Sequence, residues 1–217
     1  MIRVFGIEEV FPPEREFWMR RDHRMNKNYW GLELVSHANF EEAEHLLCAE
    51  CEEDDVYGSS DMCPDLCEAD TGIWTLPEKA WDWIPALQAS GCRIAHNVKV
   101  ERGSKQYKLI YAAPVLDLLD HDRSKLTWNE DTISIVHHWH LYDWAGELPL
   151  MFQVIFHNRS EYRGSMFGLS GKCVVSEAFV AECERRGLTG VTFTEIPRTQ
   201  RPADKSAPEQ VYLNSPK

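Results

Sequence analysis

The stretch from residue 28 to residue 78 contains no lysine and no arginine, although the chain has 23 of them. The same stretch holds fourteen of the 35 acidic residues. Subtracting it from a chain of net charge -12 leaves 21 acids against 23 bases, a net charge of +2. The acidity is therefore the property of one segment, which we call the acidic segment, on an otherwise balanced chain.

Long apolar runs are also missing. No stretch approaches the roughly 18 uninterrupted apolar residues that a membrane helix needs, and residues 1–9 lack the basic region and apolar run of a signal peptide. We therefore expect a cytoplasmic protein with no membrane partner. Since phosphate contacts need lysine and arginine, the charge of -12 argues against nucleic acid as a partner and favours a basic protein.

Motifs of common enzymes are absent as well. Residues 168–171 read Gly-Leu-Ser-Gly, one residue short of the Gly-x-Ser-x-Gly elbow of serine hydrolases. The chain has no phosphate-binding loop and no dinucleotide fingerprint. These motifs therefore supply no candidate catalytic residues.

The hydrophobic content of the chain suffices for a core, since 43% of the residues are hydrophobic and eight are tryptophan. Apolar patterning predicts strands of a mixed or antiparallel sheet and a few short helices. A single domain is expected over residues 1–197, with an acidic, cysteine-bearing insertion at 48–70 and a flexible Pro- and Ser-rich tail at 198–217. The predicted elements are strands at 2–7, 29–35, 94–100, 107–115, 132–136, 151–156 and 190–196, helices at 40–48, 76–84 and 177–186, a polar turn region at 116–124 and a loop at 164–171.

Four of the seven cysteines lie in the acidic segment, as Cys48-Ala-Glu-Cys51 and Cys63-Pro-Asp-Leu-Cys67. Two such pairs can place four sulfurs around one tetrahedral Zn²⁺, which would order a segment that has few apolar residues to pack. The other interpretation is reduced thiols at the ends of ordinary elements, and His45 could replace one ligand. Three isolated cysteines are expected to be small buried hydrophobic residues: Cys92, Cys173 and Cys183.

The acids of the same segment are candidate partner-binding residues. A dense acidic surface suits a basic protein, for example a nuclease whose active site expects phosphate. The alternative is a solvated loop without a partner. The predicted contact residues are Glu50, Glu52, Glu53, Asp54, Asp55 and Asp61.

A second metal-binding hypothesis concerns His138 and His140, which would share one face of a strand. Asp143 or His157 could supply a third ligand. The alternative is a pair of surface or packed histidines.

The second half of the chain resembles a known family. Residues 107–120 read Tyr-Lys-Leu-Ile-Tyr-Ala-Ala-Pro-Val-Leu-Asp-Leu-Leu-Asp and are followed by Ser124. They resemble the central block of a bacterial immunity-protein family of polymorphic toxin systems, long described as a domain of unknown function. Residues 151–156, 175–179 and 186–193 are similar to the closing part of that family, and the resemblance covers mainly residues 75–197.

The resemblance implies an α+β protein that binds and neutralises a cognate toxin as a stoichiometric inhibitor, with no catalysis of its own. It does not supply the four clustered cysteines, which are an elaboration of this chain. The alternative function is a zinc-binding accessory protein or a metal-dependent enzyme, which would use the cysteine cluster or the pair His138 and His140.

Overall fold

The computed structural model describes residues 3–10, 49–50, 65–66, 68–70, 73–102, 105–112, 114–129, 132–144, 146–156 and 170–202. In chain order the strands are β1 Val4–Glu9, β2 Ala49–Glu50, β3 Glu68–Asp70, β4 Ile73–Pro77, β5 Arg93–Arg102, β6 Lys105–Tyr111, β7 Val115–Leu116, β8 Lys125–Asn129, β9 Thr132–His138, β10 Leu141–Tyr142, β11 Met151–Phe156, β12 Ser170–Ser176, β13 Val191–Glu195 and β14 Arg198–Thr199. The helices are a 3₁₀ helix at Glu78–Trp83, α1 at Ile84–Ala89 and α2 at Glu177–Arg186. None of the described helices is long and apolar enough to cross a membrane.

Within these residues a first sheet has the strand order β13-β1-β12-β11-β7, antiparallel except for the β11–β7 pair. Successive side chains of a strand point to opposite faces, and here both faces are buried. Phe5, Met151 and Val175 lie on one face, whereas Phe152 and Val174 lie on the other. The first sheet is therefore the middle layer of the molecule.

A second sheet has the order β2-β5-β6-β4-β3 and is antiparallel except for the β2–β5 pair. Its Trp74 and Ile110 enter the same core as the first sheet and Phe179 of α2. The rings of Trp83 and Phe179 lie with their centroids 4.9 Å apart. Gln153 of the first sheet donates to the Tyr111 hydroxyl of the second at 2.7 Å, which adds a buried polar contact between the sheets.

The opposite face of the first sheet is covered by a smaller core that includes Leu116, Leu119, Leu141 and Ile196. Strands β10 and β14 pair in parallel beside it. Strands β8 and β9 form a separate antiparallel pair. The predicted α+β architecture, with mixed and antiparallel sheets and short helices, is confirmed.

Helix α2 forms where the sequence predicts it. The Ser176 hydroxyl accepts a hydrogen bond from the Phe179 amide at 3.4 Å, as a helix cap does. Gly187 ends the helix in the left-handed conformation, with φ of 59°. Strand β13 follows it, also as predicted.

Two predicted elements differ from the structure. The helix expected at 76–84 begins later, because Ile73–Pro77 is strand β4, paired with β6 from Ile73↔Tyr111 to Pro77↔Tyr107. Its residues 74–77 are all buried, so the strand lacks the alternation of apolar and polar residues that would reveal it. Strand β12 begins at Ser170, inside the loop expected at 164–171.

The chain remains part of the fold after residue 197. Arg198 and Thr199, assigned by the sequence analysis to the tail, form β14, and Thr199 is buried. Their partners lie in β10, at Leu141 and Tyr142. Residues 203–217 lie outside the described residues.

Candidate functional site

Most of the predicted site residues lie outside the described residues. This holds for all four metal-ligand candidates, Cys48, Cys51, Cys63 and Cys67, and for the acids Glu52, Glu53, Asp54, Asp55 and Asp61. Glu50 belongs to strand β2. What the structure describes is how the acidic segment joins the domain.

The segment contributes strands to both edges of the second sheet. Ala49 pairs with Val100 at one edge, and Glu68 pairs with Trp74 at the other. Four strand spacings separate these edges, or about 19 Å. The acidic segment is thus built into the sheet on either side of its predicted contact residues.

A second attachment lies between Cys63 and Cys67, where the side chain of Asp65 is only 6% exposed. Its Oδ2 accepts hydrogen bonds from the Thr189 amide, the Thr189 hydroxyl and the Lys79 ammonium, each at 2.8 Å. The backbone amides of Asp65 and Leu66 both donate to the Thr189 carbonyl, at 3.1 and 2.9 Å. A buried carboxylate needs such partners, and these come from two distant parts of the chain. We call Asp65, Lys79 and Thr189 the Asp65 junction.

Apolar packing reinforces the Asp65 junction. Leu66 is fully buried in the core between the two sheets. The Thr75 hydroxyl, also buried, donates to the Asp65 carbonyl at 3.2 Å. Burying a leucine side chain contributes about 2 kcal/mol, so residues 65 and 66 are held by both hydrophobic and polar contacts.

The Asp65 junction also reaches the end of α2. Lys79 donates to the carbonyl of Gly187 at 3.0 Å. Arg186 forms an ion pair with Asp82 and another with Glu182, at 2.6 Å, and its guanidinium lies over the Trp83 ring. Hydrogen bonds from Arg185 and Arg186 lower the pKa of Glu182 to about 2. The acidic segment, the 3₁₀ helix and α2 therefore meet at one place.

A second buried carboxylate, Asp120, follows the block that carries the family resemblance. It accepts from the hydroxyls of Tyr142 and Thr199, at 3.1 and 2.8 Å, and from the Asp122 amide at 3.1 Å. Burial raises the pKa of the Asp120 carboxyl, but the hydrogen bonds from Thr199, Tyr142 and backbone amides outweigh it and the pKa lies below its ordinary value. This chemistry closes a turn and holds β14, as expected for turn and capping residues.

The histidine pair is arranged differently from the prediction. Strand β9 ends at His138, which is exposed, and His140 lies beyond the strand. The backbone amide of His140 donates to the Ser124 hydroxyl at 3.0 Å. No group of three or more His, Cys, Asp or Glu side chains that could hold a metal occurs among the described residues.

The three isolated cysteines are buried and free, as predicted. Burial raises the pKa of Cys92 to about 11 and that of Cys183 to about 12. Burial also raises the pKa of Cys173 well above its ordinary value. Thiols in this state are unreactive, so these cysteines serve packing.

Sequence reasoning missed the Asp65 junction. Asp65 counted as one of fourteen acids in a polar stretch, and its partner Thr189 lies 124 residues away. The one local signal was Leu66, an apolar residue between two cysteines.

No family model matches the chain, and no curated protein matches it either. The assignment to an immunity-protein family therefore stays a prediction that rests on the motifs of residues 107–120, 151–156, 175–179 and 186–193.

The Asp65 junction predicts unequal effects of its two charges on stability. Asp65→Asn removes the buried negative charge and is expected to lower the free energy of unfolding by about 2–3 kcal/mol. Lys79→Met is expected to lower it by no more than about 1 kcal/mol, because the lysine side chain is 46% exposed. Urea unfolding of both variants measures the difference, and equal losses would contradict the account of the junction.

The Asp120 network predicts a pH-dependent contribution to stability. Because its pKa is lowered in the folded protein, Asp120 stabilises the fold at pH values above its unfolded pKa of about 4, and the contribution is lost as the pH falls through the lower folded value. Asp120→Asn should therefore cost about 2 kcal/mol near neutral pH. The gap from wild type should narrow between pH 5 and pH 2 in chemical unfolding. A gap that stays constant over this range would refute the assignment, and Asp117→Asn is the nearby control.

Proposed function

We propose that the protein is an immunity protein that binds and neutralises a cognate bacterial toxin as a stoichiometric protein inhibitor. The family resemblance of residues 107–120, 151–156, 175–179 and 186–193 supports the class of function. The proposal includes action in the cytoplasm, where reduced cysteines remain available to a metal.

The observation that carries the proposal is the attachment of the acidic segment to the domain. The segment holds fourteen acids and no base, and it enters the second sheet at β2 and β3 and is held at Asp65 and Leu66. A solvated loop does not need a buried carboxylate and a buried leucine within it. Such anchoring suits a surface that must be presented to a partner.

The charge of the segment defines the partner by its chemistry. Opposite fields speed encounter and disfavour wrong docking, so the toxin is a basic protein. A nuclease is one example, because its active site is built to receive phosphate. By the same physics, nucleic acid itself is not a ligand of the inhibitor.

Binding, rather than catalysis, also agrees with the two buried carboxylates that the structure describes. Asp65 and Asp120 each accept three side-chain or backbone hydrogen bonds from the protein. A general acid or base must be able to exchange a proton with a substrate. Both groups are committed to holding the chain together.

A structural zinc ion is a further part of the proposal. Asp65 and Leu66 lie between Cys63 and Cys67, so the anchored dipeptide fixes the chain close to the second cysteine pair. Four thiolates at the spacing of Cys48, Cys51, Cys63 and Cys67 form a donor set that zinc prefers. When bound, the ion would cross-link the segment and contribute folding free energy.

The proposal predicts a toxin gene beside the gene of this protein, and coexpression with its product tests the function. Wild-type protein should restore growth and form a 1:1 complex without turnover of the toxin. Glu52→Lys with Glu53→Lys should weaken the complex by about tenfold or more, because it replaces attraction with repulsion in the segment.

The matched control reverses two exposed acids outside the segment, Glu8 and Glu184, to lysine. Both double variants change the net charge from -12 to -8, since each reversal adds two charges. If both double variants lose protection equally, net charge and not the position of the acids controls toxin binding. Absence of any complex with wild-type protein would refute the proposed function for that toxin.

The zinc proposal is tested by metal analysis of protein purified without added metal. About one zinc per chain is expected, and Cys51→Ser should reduce the zinc content and lower the thermal unfolding temperature. Cys92→Ser is the control, because Cys92 is a buried free thiol in the core. Zinc that is retained in Cys51→Ser but lost in His138→Ala would show that the histidine pair, and not the cysteine cluster, binds the metal.

A further inference from the structure

An open groove of about 590 Å³ lies between α1, residues 147–150 and the beginning of α2. A volume of this size seats a small ligand or a few side chains of a partner protein. Its wall includes Ala86 and Ala89 of α1, Ala178 of α2, and Leu148 and Leu150 of the connecting chain. Leu148 belongs to the smaller core and Leu150 packs against the larger one. The floor of the groove is therefore formed by residues that are packed into the two cores.

The exposed side of α1 carries no charge. Its exposed residues are Pro85, Ala86, Gln88 and Ala89, in a chain of which 27% of the residues are charged. By contrast, α2 exposes Glu177, Glu184 and Arg185 to solvent. Depletion of charge is the compositional mark of the centre of a protein–protein interface.

The hydroxyls in the groove wall are already used within the protein. Ser90 donates to the Leu87 carbonyl at 2.8 Å. Ser176 donates to the Leu150 carbonyl and accepts from the Phe179 amide, both at 3.4 Å. These hydroxyls therefore need no hydrogen-bond partner from an occupant, which meets a mainly apolar wall.

Among the described residues that line the groove, the one with a charge is Glu147, which is exposed. Within the described part of the chain, its carboxylate has no hydrogen bond and no ion pair. The positive end of α2 is not free to attract an anion here, since Glu177 lies in its first turn and pairs with Arg3 at 3.4 Å. The groove therefore favours an apolar group accompanied by a positive charge.

We propose that this groove is a docking site for the toxin, and that it receives an apolar side chain flanked by a lysine or arginine that pairs with Glu147. The inference rests on the proposed function and names a second contact surface for the same basic partner. Buried apolar anchors dominate the energy of an interface, whereas exposed charges act mainly on the rate of association. The groove can bury an apolar side chain of the toxin, and the acidic segment adds an electrostatic contact elsewhere on the protein.

The test is calorimetric titration with the purified toxin domain encoded beside this protein, in an inactivated form. Ala89→Trp, which fills the groove from an exposed helix position, should weaken the dissociation constant by about tenfold or more. Glu147→Lys should weaken it by about tenfold as well. Circular dichroism and thermal unfolding of both variants should match those of the wild type, because both positions are exposed.

Two matched controls separate the groove from its surroundings. Gln88→Trp adds the same side chain to α1 outside the groove, and Glu184→Lys makes the same charge change on α2. Both should change the dissociation constant by less than about twofold.

The outcomes distinguish the groove from the function. If wild-type protein binds the toxin and Ala89→Trp and Glu147→Lys bind like their controls, the groove proposal is overturned while the function stands. If wild-type protein does not bind the toxin, the groove proposal and the proposed function are both refuted for that toxin. Self-association of the wild type that Ala89→Trp abolishes, with toxin affinity unchanged, would assign the groove to a second copy of the chain and overturn the proposal.

Discussion

The carboxylate of Asp65 is the constraint on which the rest of the account depends. It is buried, so it needs hydrogen-bond donors, and its partners come from the 3₁₀ helix through Lys79 and from the turn after α2 through Thr189. Leu66 beside it enters the larger core. One short contact thereby fixes the acidic segment to the larger core, close to where α2 ends at Gly187.

The two contact surfaces that we propose have different physical roles. The acidic segment provides a long-range field, which acts on encounter and is weakened by salt. The groove beside α1 provides a short-range apolar binding site that the carboxylate of Glu147 borders. An inhibitor that must capture its toxin quickly and hold it tightly needs both, since steering governs the association rate and desolvated anchors govern dissociation.

Local signals predicted the elements that depend on local physics. Helix α2 was predictable because Ser176 caps it and Gly187 ends it within twelve residues. Strand β4 was not, because burial of both faces removes its alternation. The Asp65 junction and the Asp120–Thr199 bond join residues 124 and 79 positions apart, and neither has a local pattern. The groove is likewise a product of three separate parts of the chain.

The central claim is that this protein binds a basic toxin through two surfaces, the acidic segment and the groove. Amide hydrogen exchange of the protein with and without an equimolar toxin domain tests it most directly. The account predicts slower exchange in residues 84–90, 147–150 and the acidic segment, with the β8–β9 pair unchanged. Unchanged exchange throughout the chain, or protection confined to residues outside these three stretches, would contradict it.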